Sequence, residues 1–290
     1  VQEFQGVFAL LLTPFLPDRD IDWPAYDRYV DWQLSQRPHG LFAVCGSSEM
    51  GMLTLAERLR LAERAVHRAA GQVPVFATAN VERDPADHEQ ELLRMAQTGV
   101  SGVVLIPPNG MGADQRKLGE YFARMAGLSP VPVFLYECPM VKPHLIDPRI
   151  YSELAGRHGI RGIKDTTCTL EGIEAKIKGA PDSIVYQANT PLMLAAIHRG
   201  AGGVMAITTT AAASLVLELW ERGVRRDPEA DAVLERLTAL DTALGGGFPA
   251  TAKYLATLQG VTMNLHTRTG KTMGREAAEA IAMWRNTSLA

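Results

Sequence analysis

A lysine closes the apolar stretch Gly159-Ile160-Arg161-Gly162-Ile163-Lys164, and small polar residues follow it in Asp165-Thr166-Thr167. The stretch reads as a short buried strand with Lys164 at its C-terminal end. A lysine there in a parallel sheet faces the mouth of the sheet, where desolvation disfavours the ammonium and lowers its pKa. A neutral amine adds to a ketone or aldehyde and forms a Schiff base. Other apolar stretches end in groups that suit such chemistry. Cys45-Gly46-Ser47-Ser48-Glu49 offers backbone N–H groups and hydroxyls to a carboxylate. Tyr136-Glu137-Cys138-Pro139 offers a tyrosine able to relay protons. Gly203-Val204-Met205-Ala206 is small and apolar and leaves room for a substrate methyl or chain. Each has an ordinary reading as well: a snorkelling lysine, a capped turn, a core tyrosine with a satisfied hydroxyl. Their occurrence together favours a Schiff-base constellation.

These groups meet only if the strands lie side by side. Apolar runs over 7–12, 40–45, 73–79, 102–106, 131–136, 162–164, 183–187 and 203–207 alternate with amphipathic runs over 21–36, 54–70, 85–99, 118–127, 148–157, 170–178, 191–200 and 212–222. Strand–helix alternation predicts a parallel sheet, and eight such units suit a closed (β/α)8 TIM barrel. No GxGxxG follows the first strand, which weakens a dinucleotide-binding alternative. Thr54, with Glu57 three residues on, predicts a capping box. After Arg225-Arg226-Asp227-Pro228 the pattern is helical, over 229–244, 249–258 and 274–286, with Gly245-Gly246-Gly247 as a flexible break. The expected organisation is a catalytic barrel over 1–225 and a C-terminal helical appendage over 226–290.

Of the 290 residues 47% are hydrophobic, ample for a core, and the net charge of −3 argues against nucleic acid or anionic membrane as a partner. Cys45, Cys138 and Cys168 are an odd set without CxxC spacing, which fits reduced, semi-buried thiols and a cytoplasmic protein rather than a disulfide framework. No apolar run approaches the ~18 residues of a membrane span. Val1-Gln2-Glu3-Phe4 lacks the basic start of a signal peptide, so none is expected.

In sequence order, Ala9-Leu10-Leu11-Leu12-Thr13-Pro14-Phe15, the Gly-Ser-Ser-Glu turn, Val131-Pro132-Val133-Phe134-Leu135-Tyr136 with Pro139, Gly162-Ile163-Lys164-Asp165 and Gly202-Gly203-Val204 form a specific set. The chain resembles the class I aldolase family containing dihydrodipicolinate synthase and N-acetylneuraminate lyase. The resemblance implies the barrel, a helical C-terminal bundle and a homotetramer or homodimer. It makes Lys164 the Schiff-base lysine for pyruvate or another 2-oxo acid and Tyr136 the proton donor and acceptor. Ser47 with Ser48 would hold the 2-oxo acid carboxylate, and Met205 would touch the keto acid. No cofactor or metal is implied.

The departures bear on the substrate. Anchored on Glu49, Gly46 stands where the family has its first hydroxyl residue and Ser48 where it has glycine. The loop Pro107-Pro108-Asn109-Gly110-Met111-Gly112 lacks the tyrosine that dihydrodipicolinate synthase lends to a neighbouring subunit. Val141, beside Lys142, falls where that synthase has an arginine for its second substrate's carboxylate, and Asn189-Thr190-Pro191 replaces the lyase's acidic residues. Glu137 replaces an asparagine, as an extra base or as a cap for neighbouring backbone, and His144 lies in the loop after strand five, to meet a polar substrate tail or only to be solvated. The expected activity is a Schiff-base lyase, aldolase or dehydratase, acting on pyruvate or a 2-oxo-3-deoxy sugar acid. The alternatives are dihydrodipicolinate synthase itself and a non-catalytic 2-oxo acid binding protein.

Overall fold

Strands buried on both faces need apolar side chains throughout and a helix over each outer face. The computed structural model, which describes residues 2–289, meets both needs; Val1 and Ala290, the outer limits of the two expected regions, lie outside the described residues. Strands β1 (Gly6–Leu10), β2 (Gly40–Val44), β3 (Val75–Thr78), β4 (Gly102–Leu105), β5 (Val133–Tyr136), β6 (Gly162–Asp165), β7 (Ile184–Gln187) and β8 (Gly203–Val204) pair in chain order, all parallel, and β8 closes on β1. The intervening helices are α1 (Trp23–Ser35), α2 (Leu55–Ala69), α3 (His88–Ala96), α4 (Gln115–Leu128), α5 (Pro148–His158), α6 (Leu170–Gly179), α7 (Met193–His198) and α8 (Thr209–Val224). The expected (β/α)8 barrel is what forms.

Several boundaries shift for local reasons. β3 starts at Val75 rather than at 73, because Pro74 has no N–H to give a ladder. The third helix starts at His88, after a 3-10 turn over Pro85–Asp87 that Asp84 caps through the Ala86 N–H. β8 is only Gly203–Val204, so Met205 stands just beyond it, and α8 begins early, at Thr209. Thr54 and Glu57 exchange the two hydrogen bonds of a capping box, at 3.3 and 2.8 Å.

The barrel floor follows from one alternation. Phe8, Phe76, Phe134 and Tyr186, from β1, β3, β5 and β7, point inward in one layer. In register beside them on the even strands stand Gly40, Gly102, Gly162 and Gly203. A Cβ on Gly40 would lie 2.2 Å from the Phe8 ring, and one on Gly203 2.5 Å from that of Tyr186. Four rings therefore fill a layer that eight side chains would overfill. Phe4 closes the floor from below, its ring edge-on to Phe134 and its carbonyl accepting from the Tyr186 hydroxyl.

Helices α9 (Ala230–Gly245), α10 (Ala250–Leu258) and α11 (Arg275–Ser288) follow. α9 runs into the glycine triplet, so the expected break is the end of a helix. Leu237, Leu240, Leu244, Leu255 and Ile281 join the same continuous core as the barrel. Among the described residues no helix is long and apolar enough to cross a membrane.

Candidate active site

Two residues above the aromatic floor, the inward side chains become chemical. Tyr136 follows Phe134 on β5 and Lys164 follows Gly162 on β6, and the two are register partners across the ladder. Each is 5% exposed. The Lys164 Nζ lies 4.4 Å from the centre of the Tyr136 ring and 5.8 Å from that of Phe42. Burial pushes the Lys164 amine below the ordinary lysine pKa, against a weaker pull from the Cys45 and Cys138 thiols, and it has no ion-pair partner among the described residues. Burial and the same two thiols push the Tyr136 phenol well above its usual value, so it is protonated at neutral pH. A cavity of about 330 Å³ opens over the pair, with Met205, Thr166, His144 and Asn189 in its wall. Three of the expected residues, Lys164, Tyr136 and Met205, thus converge.

The serine turn adjoins this cavity without lining it. Gly46 faces the Tyr136 hydroxyl: a Cβ there would stand 3.4 Å from that oxygen. Ser48 is turned to its own backbone, accepting from the Cys45 N–H at 2.7 Å and donating to the Cys45 carbonyl at 2.8 Å. Its hydroxyl therefore builds the turn and is spent there. Ser47 is buried, and its hydroxyl has no hydrogen-bond partner among the described residues. The turn is fastened by Glu49 in the left-handed region (φ 60°), which accepts from the buried Lys253 at 3.3 Å and from the Thr269 N–H at 2.8 Å. Burial lowers the Lys253 pKa to about 8.

The sequence fits the model of the dihydrodipicolinate synthetase family over residues 3–279. The chain belongs to the dihydrodipicolinate synthetase family. It is an enzyme of the class I aldolase type. The 4-hydroxy-tetrahydrodipicolinate synthase of Gluconacetobacter diazotrophicus is 28% identical over 269 residues, 89% of this chain and 88% of that one. The synthase of that name from Acidithiobacillus ferrooxidans is 30% identical over 241 residues, 82% of each chain. Among solved structures, dihydrodipicolinate synthase from Thermotoga maritima superposes with a TM-score of 0.91 at 19% identity, covering 99% of both chains. A prophage protein of E. coli K12 from the same family, solved with pyruvate, gives 0.90 at 20% identity over 98% of both.

The loops after β4 and β5 form part of the rim of the barrel. Val141 is half-buried against the core, while Lys142 is exposed, its Nζ 3.4 Å from the His144 ring. The loop after β4 docks on that after β5: the Gly110 N–H donates to the Lys142 carbonyl at 2.9 Å, and Gly112 lies against the Pro143 backbone. Of the thiols, Cys45 and Cys138 are fully buried and Cys168 is exposed, so the semi-buried reading fails for all three: two lie beneath the mouth and one on its edge.

Sequence reasoning missed two residues. Lys176 on α6 is fully buried and holds both Glu137 and Asp165. Glu137 is also fully buried; it caps backbone, accepting at 2.9 Å from the N–H groups of Ile146 and Thr166. Asp241 on α9 is half-buried and accepts from the Thr190 hydroxyl at 3.0 Å, and its charge reaches Cys168 on the cavity wall. Burial raises the Asp241 carboxyl above the usual carboxylate range. A lysine on an amphipathic helix reads as solvated, and an aspartate on a distant helix has no local signal. The buried glutamate after Tyr136 was the one sign that a buried cation had to follow.

Proposed function

We propose that this enzyme cleaves, condenses or dehydrates a 2-oxo acid, pyruvate or a 2-oxo-3-deoxy sugar acid, through an imine on Lys164. The observation that carries the reading is a buried amine of lowered pKa, without a carboxylate partner, paired across one ladder with a protonated phenol beneath a cavity. The amine attacks C2 and gives up one proton to the C2 oxygen; the Tyr136 proton is the second, and the oxygen leaves as water. The iminium cation then lowers the phenol's pKa, because an opposite charge nearby favours the phenolate. Electrons from a breaking C3–C4 or C3–H bond flow into the C=N, giving an enamine. In cleavage the proton of the C4 hydroxyl passes to Tyr136; protonation at C3 and hydrolysis release pyruvate. The free hydroxyl of Ser47 supports its role at the carboxylate, and Met205 would line the cavity wall beside C3. Asp241, Asn189 and His144 around the mouth support a hydroxylated far end. The E. coli neighbour solved with pyruvate supports the 2-oxo acid. A small-molecule substrate, a homotetramer or homodimer and a cytoplasmic setting complete the proposal.

A second reading, condensation of pyruvate with aspartate semialdehyde, is favoured by the names of the relatives. Against it stand Val141 at the arginine's place and Gly46 beside the Tyr136 hydroxyl. A charged hydrogen bond to a carboxylate is worth roughly 1.5–3 kcal/mol, so its absence alone costs about 10- to 150-fold. The deciding experiment has two arms. Borohydride reduction with pyruvate should add mass on Lys164, and a panel of 2-oxo-3-deoxy sugar acids should yield pyruvate or a dehydrated product. A coupled assay with aspartate semialdehyde reaching a kcat/KM of about 10⁴ M⁻¹s⁻¹ replaces this reading with the second. Absence of any adduct leaves only a binding protein.

A further inference from the structure

Strand alternation sends Tyr136 and Lys164 into the barrel and the residue after each, Glu137 and Asp165, outward beneath α6. All three members of the cluster they form with Lys176 are fully buried. The Lys176 Nζ lies 2.7 Å from Glu137 and also bonds Asp165. Glu137 accepts in addition from Ile146 and Thr166, and its carbonyl accepts from the Thr166 hydroxyl at 2.6 Å. Asp165 accepts from the Thr167 N–H at 3.1 Å and hydroxyl at 2.8 Å.

The place of the cluster matters more than its charge. The β5–β6 ladder ends with the pair Tyr136 and Lys164, and the last main-chain bond, from the Glu137 N–H to the Lys164 carbonyl, is 3.2 Å. Beyond it, side chains alone keep the two strand ends together, and the ammonium bridging Glu137 to Asp165 spans them. A buried ion cluster is no more stable than apolar residues of its size, so stability alone does not account for it. The lowered pKa of Lys164 arises from burial and is opposed by two thiols, and neither Glu137 nor Asp165 is among its causes.

We propose that Lys176 is a positioning residue for the imine chemistry: by clamping Glu137 to Asp165 it holds the Tyr136 hydroxyl in reach of the adduct on Lys164. This rests on the proposed roles of Lys164 and Tyr136. The test uses full-length protein with pyruvate alone. Borohydride trapping counts imine-competent sites, and exchange of the pyruvate methyl hydrogens for deuterium in D₂O, followed by NMR, measures proton shuttling per trapped site. Misplacement of a reacting group by about 1 Å costs about 10²-fold. Lys176→Met should therefore still trap pyruvate but lose about 10- to 100-fold in exchange per trapped site, with the pH midpoint of trapping unchanged. A role in folding alone lowers the number of trapped sites and leaves the rate per site within about twofold of wild type, which overturns the clamp. Where Lys176→Met does not fold, Glu137→Gln, which leaves Lys176 paired with Asp165, is read the same way: a per-site loss supports the clamp and an unchanged rate refutes it. A shifted pH midpoint assigns the effect to charge and also refutes the clamp. If wild-type protein traps no pyruvate on Lys164, the imine reading falls and the clamp with it.

Discussion

Replacing Tyr136 by phenylalanine removes one oxygen and nothing else. The ring stays over the Lys164 amine, where it now lies at 4.4 Å, and edge-on to Phe42 at 6.3 Å. The hydroxyl lies near the Cys138 thiol, which contributes to its raised pKa. Stability should therefore change by less than about 1 kcal/mol, the net worth of one hydrogen bond. The catalytic loss is larger. A positioned general acid or base contributes about 10²- to 10⁴-fold, equivalent to roughly 2.7–5.4 kcal/mol of barrier. Because burial keeps the phenol protonated, the variant loses the donor for the departing C2 oxygen and the acceptor created when the iminium forms. Tyr136→Phe should still give a borohydride-trapped adduct on Lys164 after long incubation, while exchange of the pyruvate methyl hydrogens falls by at least about 10²-fold. The assay is NMR-detected exchange beside intact-mass analysis of trapped protein. Exchange within tenfold of wild type, with normal trapping, would remove Tyr136 from proton transfer.

Lys164→Ala should abolish trapping and turnover while circular dichroism stays native; the rate of imine formation in the wild type should rise with pH through a midpoint below the ordinary lysine value of about 10.4, since burial lowers the pKa of the amine that must be neutral to attack. A midpoint at or above 10.4 contradicts the desolvated site. Ser48→Ala should lower the melting temperature, because it breaks two hydrogen bonds to Cys45 worth about 1 kcal/mol each, whereas Ser47→Ala should raise the KM for the 2-oxo acid with little change in stability; the reverse pattern exchanges their roles. Asp241→Asn should raise KM for sugar acids and leave pyruvate trapping unchanged, and equal effects on both would move Asp241 off the substrate's far end. Truncation after Arg225 should leave no cooperative unfolding transition by calorimetry: burial of Leu237, Leu240, Leu244, Leu255, Ile281 and Trp284 contributes roughly 2 kcal/mol each, comparable with the whole stability of a domain.

The inner layer of the site was legible because it depends on strand order and on alternation within strands. Lys164 and Tyr136 needed only a strand end and a parallel neighbour, and Met205 needed only the last strand. The bonding of Ser48 was not legible, because a hydroxyl in a turn can serve substrate or backbone, and here it bonds the Cys45 backbone. Gly40, Gly102, Gly162 and Gly203 are visible in the sequence as glycines that open strands. Their function is not, since it requires the register that sets each beside a ring on the neighbouring strand. Lys176 and Asp241 act across gaps between elements, where periodicity carries no information about partners.

The site therefore consists of a floor that strand geometry determines and a rim that distant residues hold. The floor fixes where Lys164 and Tyr136 point: four rings support the layer in which the two stand as register partners. The rim is fastened from outside the barrel strands. Lys253 and Thr269 hold Glu49 and with it the turn that carries Ser47; Arg268 grips Glu57 at the start of α2; Thr190 meets Asp241 on α9. Each fastening joins the C-terminal region to a βα loop or to the first turn of the helix after it, outside the barrel strands. Under the proposed function, imine formation would demand only the floor, and the choice of what the enamine meets would belong to the rim.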